Sequence, residues 1–155
     1  MLDRIRTFLQ ERSIAFREVE HPPTSTSEES AKARGEELRI GGKALLMKGD
    51  DRFCVFVLPA DRKIDSAAIR RELGFRKLRF ATRDELAQLT GLVPGAVPPF
   101  GEPLLPFPLY VDDAVRGNER IAFNAGSLTN SIVLSVTDYL PAAAPAAVFR
   151  FSVAD

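Results

Sequence analysis

The sequence predicts an α+β fold with a mixed β-sheet, on three observations. Its 155 residues suit one domain, expected to span residues 1–155, and a hydrophobic content of 45% is enough to bury a core. Short helical segments with capping signals alternate along the chain with strand-like runs. Two of those runs flank Gly49-Asp50-Asp51, a sequence typical of a hairpin turn, and the alternation of short helices with hairpin-forming strands is typical of α+β folds.

The first 35 residues contain two predicted helices with one strand between them. Residues 2–12 place four apolar side chains on one helical face: Leu2, Ile5, Phe8 and Leu9. Residues 16–20 alternate like a short strand, and His21-Pro22-Pro23 then imposes an extended turn, because residues before proline avoid the helical region. A capping box over residues 26–29 opens a second helix, which ends at Gly35.

The middle of the chain contains the hairpin and two further helices. Residues 42–48 and 52–58 are the hairpin strands, and the second is apolar on both faces, which predicts a central strand containing a buried Cys54. Residues 66–73 form a helix, residues 77–80 a short strand, and residues 82–90 a helix that begins with a second capping box.

Residues 91–108 hold nine glycines and prolines, so they form neither a regular helix nor a central strand. Such a long loop in a compact domain is usually functional or disordered, and the apolar residues within it favour an ordered, packed loop. The remaining predictions are strands over residues 109–112, 120–124 and 131–136, a short turn over 138–140, and a last strand or extended tail over 147–153.

Composition excludes several functional classes. No apolar run approaches the roughly 20 residues that a membrane span needs, and the first residues lack the apolar stretch of a secretory signal. Cys54 and His21 are the only residues of their kinds, which excludes internal disulfides, multi-cysteine zinc sites and two-histidine metal sites. We therefore expect a cytoplasmic protein without a metal ion or other cofactor.

The charges are unevenly distributed although the net charge is zero. Residues 1–83 hold 18 Lys/Arg against 13 Asp/Glu, whereas residues 84–155 hold 3 against 8. A solvated helix with its flanks explains this pattern, and so does a locally positive face that contacts a polyanion. The segment from residue 62 to residue 83 is richest in cations: Arg62, Lys63, Arg70, Arg71, Arg76, Lys77, Arg79 and Arg83.

Three segments can carry chemistry. Lys43 follows two glycines at the start of an apolar strand, where it is either a half-buried cation facing a ligand or an ordinary lysine that reaches solvent. The loop over residues 90–101 can present rigid backbone amides to a substrate oxygen, or simply pack. Residues 124–131 can line a pocket with hydroxyls and amides, or form a turn. His21 is a weaker candidate for a general base.

Seven segments form an ordered set: His21–Pro23, Thr26–Ala31, Gly42–Leu46, Val57–Asp61, Thr90–Gly91, Gly95–Gly101 and Asn124–Ser127. At these spacings the set resembles the YbaK-like aminoacyl-tRNA deacylases, which are free-standing relatives of the editing insertion domain of bacterial prolyl-tRNA synthetase. The resemblance covers roughly residues 2–141. It implies a partly barrel-like mixed sheet flanked by short helices. It also implies hydrolysis, without a metal, of the ester between a wrong amino acid and the 3′-terminal adenosine of tRNA.

The resemblance also implies which residues act. Lys43 matches the strand lysine of the family and Gly95 opens its Gly-x-x-x-Pro loop, so both are expected to be catalytic. Lys43 would stabilise the oxyanion or hold either the amino acid carbonyl or the terminal phosphate, and a positioned water would be the nucleophile, oriented by the neighbouring ribose hydroxyl. The basic residues of 62–83 would contact tRNA phosphates. The expected substrate contacts are His21, Thr26, Ala96, Val97, Pro99, Gly101, Gly126, Ser127, Asn130 and Ser131.

The chain departs from the family pattern at positions that separate substrates. Ala44 stands where many relatives have threonine, serine or asparagine, and residues 129–131 lack the aspartate or histidine of some members. The expected amino acid is therefore only a small one: alanine, serine, threonine or cysteine. Two rivals remain. One is a non-catalytic module that binds aminoacyl-tRNA ends or acts as an accessory to a partner protein, and the other is a hydrolase of small acyl esters or aminoacyl nucleotides. An aminoacyl-tRNA synthetase or elongation factor is a further possible partner that would supply tRNA specificity.

Overall fold

The computed structural model describes residues 1–155 and contains five α-helices and ten strands. The helices are α1 (Leu2–Glu11), α2 (Ser27–Arg34), α3 (Ser66–Leu73), α4 (Arg83–Thr90) and α5 (Val136–Ala143). The strands are β1 (Arg17–Glu20), β2 (Gly42–Gly49), β3 (Arg52–Pro59), β4 (Arg62–Ile64), β5 (Leu78–Phe80), β6 (Leu109–Asp112), β7 (Arg120–Asn124), β8 (Asn130–Ser135), β9 (Ala147–Phe149) and β10 (Ser152–Ala154). None of the helices has the length and hydropathy that crossing a bilayer requires.

The strands form three sheets, of which the largest has the order β5-β2-β3-β6-β9. β2 pairs antiparallel with β3 and β5, whereas β6 pairs parallel with β3 and β9. The second sheet is antiparallel with the order β1-β8-β7, and β4 pairs with β10. A bridge between Gly41 and Ala122 joins the two larger sheets where β2 begins. The predicted α+β class with a mixed sheet is confirmed, and β3 is central, with Cys54 fully buried.

Capping interactions set the starts of the two helices that border the site described below. At α4 the predicted capping box forms: the Thr82 side chain accepts a hydrogen bond from the Glu85 amide, and the Glu85 carboxylate accepts one from the Thr82 amide. At α2 only half of the box forms. The Thr26 side chain accepts from the Glu29 amide at 3.1 Å, while the Glu29 carboxylate accepts from the Ser25 amide. A left-handed glycine ends α2, α3 and α4, and the one that ends α2 is Gly35, as predicted.

The glycine- and proline-rich segment 91–108 is ordered and packed, as predicted. Phe100 lies in the core, with edge-on ring contacts at centroid distances of 5.3–5.6 Å to Phe8, Tyr139 and Phe123. Tyr139 is fully buried, and its hydroxyl donates a 2.6 Å hydrogen bond to the carbonyl oxygen of Pro99. Burial raises the pKa of this phenol, so it remains protonated and continues to donate. The loop is thus held from the inside.

Two local predictions differ from the structure. Residues 138–140, predicted as a turn, lie inside α5, where the Ser135 side chain caps the helix by accepting from the Asp138 amide at 3.2 Å. Pro141 within the helix hides the helical signal in the sequence. The extended tail 147–153 is divided into β9 and β10, which join different sheets. The Phe151 amide between them donates to the Asp112 carboxylate at 2.7 Å, which stabilises the break.

Replacing Tyr139 by phenylalanine should lower the free energy of unfolding by about 1–3 kcal/mol, because the buried Pro99 carbonyl loses its donor. Tyr110→Phe is the matched control, since the Tyr110 hydroxyl makes no hydrogen bond within the protein. Urea denaturation of both variants measures the difference. Equal stability of the two variants would contradict the role assigned to the Tyr139 hydroxyl.

Candidate active site

A cleft of about 500 Å³ opens between the start of β2, the N-terminal part of α2 and the segment 93–97. Three cationic side chains line it, those of Arg34, Lys43 and Arg83, and no aspartate, glutamate, histidine or cysteine does. The hydroxyls of residues 24–27 and of Ser30 supply most of its other polar groups. A cleft of this charge favours an anionic ligand, or a negative charge that develops during a reaction.

Lys43 enters the cleft from the edge of the largest sheet. Its position is set by the β2–β3 register, in which Lys43 faces Leu58. The side chain is half-buried, and its ammonium donates a hydrogen bond to the carbonyl oxygen of Arg62. Burial lowers the pKa of the ammonium, and the carboxylates of Asp155, Asp61 and Glu28 act in the opposite direction. Lys43 is therefore a partly desolvated cation with only a neutral direct partner.

The two glycines before Lys43 are required by close packing. A Cβ atom at Gly42 would lie 2.7 Å from the Ile121 side chain. At Gly41 it would lie 3.0 Å from the Ala60 Cβ and 3.2 Å from the Leu38 carbonyl oxygen. The absence of side chains at these two positions lets the two larger sheets approach each other closely at the cleft.

The Gly95 loop contributes part of the cleft wall and is fixed through its carbonyl groups. The Gly95 carbonyl oxygen accepts a 2.9 Å hydrogen bond from the Asn124 side-chain amide, and the Ala96 carbonyl oxygen accepts one from the Gly126 amide at 3.0 Å. Gly95 has a φ of +88°, which strains any other residue. The amide nitrogens of Gly95 and Val97 make no hydrogen bond within the protein.

A buried polar network lies beneath the cleft and connects its walls. The Arg34 guanidinium donates from Nε to the Ser131 hydroxyl at 2.8 Å and from Nη2 to the Asn124 side-chain oxygen at 3.1 Å. His21 Nε2 lies 2.8 Å from the same hydroxyl. His21 Nδ1 lies 2.9 Å from the Pro22 carbonyl oxygen and must donate to it. His21 therefore contacts the network through the Ser131 hydroxyl and does not line the cleft.

Sequence reasoning missed Arg34, Thr24, Ser30 and the individual role of Asn124. The detectable signal was the inward face of α2, on which Ser30, Ala31 and Arg34 recur at helical spacing and are all buried. An arginine on such a face needs polar partners, but Asn124 and Ser131 lie 90 and 97 residues away in the chain. No local pattern reveals partners at such distances.

The structure brings together only part of the expected substrate contacts. Thr26 and Val97 line the cleft beside Lys43 and Gly95. Ser127 and Asn130 instead hydrogen-bond within the β7–β8 turn, at 3.2 Å between their side chains. For the expected residues outside the lining, substrate contact stays a prediction: His21, Ala96, Pro99, Gly101, Gly126, Ser127, Asn130 and Ser131.

The basic residues of segment 62–83 differ in whether their charged groups are exposed and free of partners within the protein. Arg62 donates to the Ser152 hydroxyl and carbonyl, and Arg79 pairs with the Glu85 carboxylate at 2.7 Å. Arg70 is partly buried at the last turn of α3. The others are exposed and make no ion pair: Lys63, Arg71, Arg76, Lys77 and Arg83. Of all eight, only Arg83 lines the cleft.

The Glu36 carboxylate raises the pKa of Arg34 electrostatically, but it forms its ion pairs with two other arginines. Its two oxygens accept hydrogen bonds from Arg17 and Arg120, each at 2.9 Å. Arg120, then Arg17, lower the pKa of the Glu36 carboxyl against the opposing effect of burial. Glu36 thereby ties the end of α2 to β1 and β7, and Arg34 is left with neutral hydrogen-bond partners only.

The family model described as the aminoacyl-tRNA editing domain matches residues 21–141, a range that contains every group lining the cleft. The chain belongs to this family. The resemblance noted in the sequence is confirmed, and Lys43 and Gly95 of this editing domain both line the cleft.

Proteins similar to this editing domain include free-standing ones. The multifunctional Ser/Thr-tRNA deacylase ProXp-y of Escherichia coli (strain K12) is 34% identical over 148 residues, or 92% of this chain and 87% of that protein. The prolyl-tRNA editing protein ProX of Acetoanaerobium sticklandii is 31% identical over 136 residues, or 84% and 82%. A crystal structure described as a candidate trans-editing enzyme for prolyl tRNA synthetase superposes with a TM-score of 0.84 at 27% identity, covering 98% of this chain and 96% of that one.

Replacing Glu36 by glutamine should make folding of this editing domain less sensitive to acid. Because the carboxyl pKa is lowered in the folded state, its stabilisation is present above the ordinary value of 4.5 and is lost as the pH falls through the lower folded value. At neutral pH we expect E36Q to lower the free energy of unfolding by about 1 kcal/mol, and the deficit to shrink below pH 4.5.

Urea denaturation from about pH 7 to about pH 3 measures this deficit. Glu11→Gln is the control, because the Glu11 side chain is exposed and makes no ion pair. A deficit for E36Q that stays constant across the whole pH range would contradict the assignment.

Proposed function

We propose that the chain is a trans-editing aminoacyl-tRNA deacylase. It hydrolyses the ester of a mischarged tRNA that carries a small amino acid of the alanine, serine, threonine or cysteine class, and it acts in the cytoplasm. Family membership supports this proposal, as do the names of two relatives, a Ser/Thr-tRNA deacylase and a prolyl-tRNA editing protein. The observation that carries it is the cleft itself, which has three cations and no acid.

The charge of the cleft matches the chemistry of ester hydrolysis on an RNA end. When water attacks the ester, the carbonyl oxygen becomes an oxyanion, and the leaving ribose oxygen also gains negative charge. The 3′-terminal nucleotide brings a phosphate as well. Lys43 and Arg83 are cations on the cleft lining, and an acid there would repel all of these groups.

The oxyanion can be stabilised from two sides. Lys43 offers an ammonium whose protein partner is a single carbonyl oxygen, a contact that a developing anion can replace. The unengaged amides of Gly95 and Val97 belong to a loop that is held by Asn124 and the aromatic core. Fixed donors of this kind need no reorganisation when the charge develops.

The water molecule must lose a proton, and no carboxylate or histidine on the cleft lining can accept it. We therefore assign proton transfer to the substrate. The α-amino group of the amino acid and the ribose hydroxyl next to the ester both belong to the substrate, and either can orient an attacking water and relay its proton. The protein in this mechanism binds, orients and stabilises charge.

Lys43→Ala should lower kcat/KM for deacylation about 100-fold or more, because a fixed cation at a developing oxyanion is lost. Lys48→Ala is the matched control, since Lys48 lies on the same strand but outside the cleft. Deacylation of tRNAs mischarged with alanine, serine, threonine or cysteine, with folding checked by circular dichroism, measures the effect. Wild-type rates in folded K43A would contradict the proposal.

Binding of tRNA should depend on salt through the exposed basic residues of 62–83. Each phosphate contact contributes a slope of about 0.7–0.9 to a plot of log Kd against log salt concentration. We therefore expect the double variant Arg71→Gln/Arg76→Gln to reduce the slope by about 1–2. Arg116→Gln, which removes a residue paired with Asp113, should leave it unchanged. An unaltered slope in the double variant would remove these two residues from the tRNA contact.

A further inference from the structure

The buried polar side chains of the cleft lining form what we call its floor. This floor is more polar than a pocket for a small aliphatic side chain requires. Four buried polar side chains contribute to it, those of Thr24, Ser30, Arg34 and Asn124, each exposed by 6–8%. Buried polar groups cost free energy unless they are hydrogen-bonded. Their remaining hydrogen-bonding capacity therefore indicates what the floor accepts from a ligand.

Arg34 has one unused donor group. Nε and Nη2 donate to Ser131 and Asn124, whereas Nη1 makes no hydrogen bond within the protein and is not sealed from the cleft. The missing side chain of Gly41 leaves room there, since a Cβ atom at that position would lie 3.5 Å from Nη1. Burial lowers the pKa of the guanidinium to about 10, so it is still charged at neutral pH.

The Thr24 and Ser30 hydroxyls complement this donor. They lie 2.7 Å apart and share one hydrogen bond, in which either is the donor. The pair retains oxygen lone pairs and one further proton. The floor therefore combines a charged donor with a hydroxyl pair that can accept.

We propose that Arg34 is a specificity-determining residue that selects aminoacyl groups with a side-chain hydroxyl. Nη1 donates to the hydroxyl of a seryl or threonyl group, and that hydroxyl donates in turn to the Thr24–Ser30 pair. This inference rests on the proposed deacylase function and narrows its substrate class from four amino acids to two.

The hydrogen-bonding capacity of the side chain decides which of alanine, serine, threonine and cysteine the floor accepts. A hydroxyl both accepts and donates, so it satisfies both sides of the floor, whereas a methyl group leaves both unpaired and a thiol does so only weakly. The α-ammonium group of the substrate is repelled by the guanidinium. A phosphate prefers a bidentate guanidinium, but the Nε–Nη2 edge of Arg34 is already occupied by neutral partners.

The test is the ratio of kcat/KM values for one tRNA charged with serine and with alanine. We expect wild-type protein to prefer serine by about 10-fold or more, since a site built to bond a hydroxyl rejects the analogue that lacks it. In Arg34→Met the serine-to-alanine ratio should fall about 10-fold or more. Arg83→Met is the matched control: it removes a cleft arginine outside the floor, lowers both rates alike and keeps the ratio.

The outcomes separate the two proposals. Turnover by wild-type protein with equal kcat/KM for serine and alanine overturns the role of Arg34 and leaves the deacylase proposal standing, and so does an unchanged ratio in folded R34M. Absence of turnover on every mischarged tRNA overturns both. If R34M fails to fold, the serine-to-alanine ratio of wild-type protein and of Arg34→Lys tests the proposal instead. Lysine keeps the positive charge but lacks the planar set of donors of a guanidinium. A hydroxyl preference that is reduced in R34K supports the proposal, and equal rates in wild type overturn it.

Discussion

The Asn124 side chain makes hydrogen bonds on both of its polar atoms, and through them a single residue contacts both the Gly95 loop and α2. Its amide donates to the Gly95 carbonyl oxygen, and its oxygen accepts from Arg34. Asn124 therefore holds α2, the β7–β8 pair and the Gly95 loop in one arrangement. The Gly126–Ala96 backbone hydrogen bond and the Tyr139 hydroxyl on Pro99 hold the same loop, so its backbone is fixed from several directions before a substrate binds.

The cleft lining is cationic because carboxylates around it form ion pairs and helix caps outside the lining. Glu36 pairs with Arg17 and Arg120, and Glu85 pairs with Arg79 while capping α4. These carboxylates complete ion pairs and caps around the site, which leaves the lining cationic. A net charge of zero is thus compatible with a cleft lined by three cations, because proteins recognise anions through local and not total charge.

Local patterns predicted much of the fold and the main positions of the site. The hairpin, the capping box of α4 and the packed 91–108 loop depend on neighbouring residues, so they were visible in the sequence. The prediction that Lys43 and Gly95 belong to one site came from the resemblance to a family. Arg34 was not predicted, because its partners lie on β7 and β8 and only the folded chain brings them together. Likewise Pro141 obscured α5, whose formation depends on the Ser135 cap and on burial of Tyr139.

The most direct test of this account is multiple-turnover deacylation by wild-type protein with mischarged tRNA in large excess. An acid-free cleft that stabilises charge and leaves proton transfer to the substrate predicts that each protein molecule cleaves many esters and releases free amino acid. Protection of the ester in proportion to the protein added, with no release of amino acid, would contradict it. That result would show a module that binds aminoacyl-tRNA ends without catalysis.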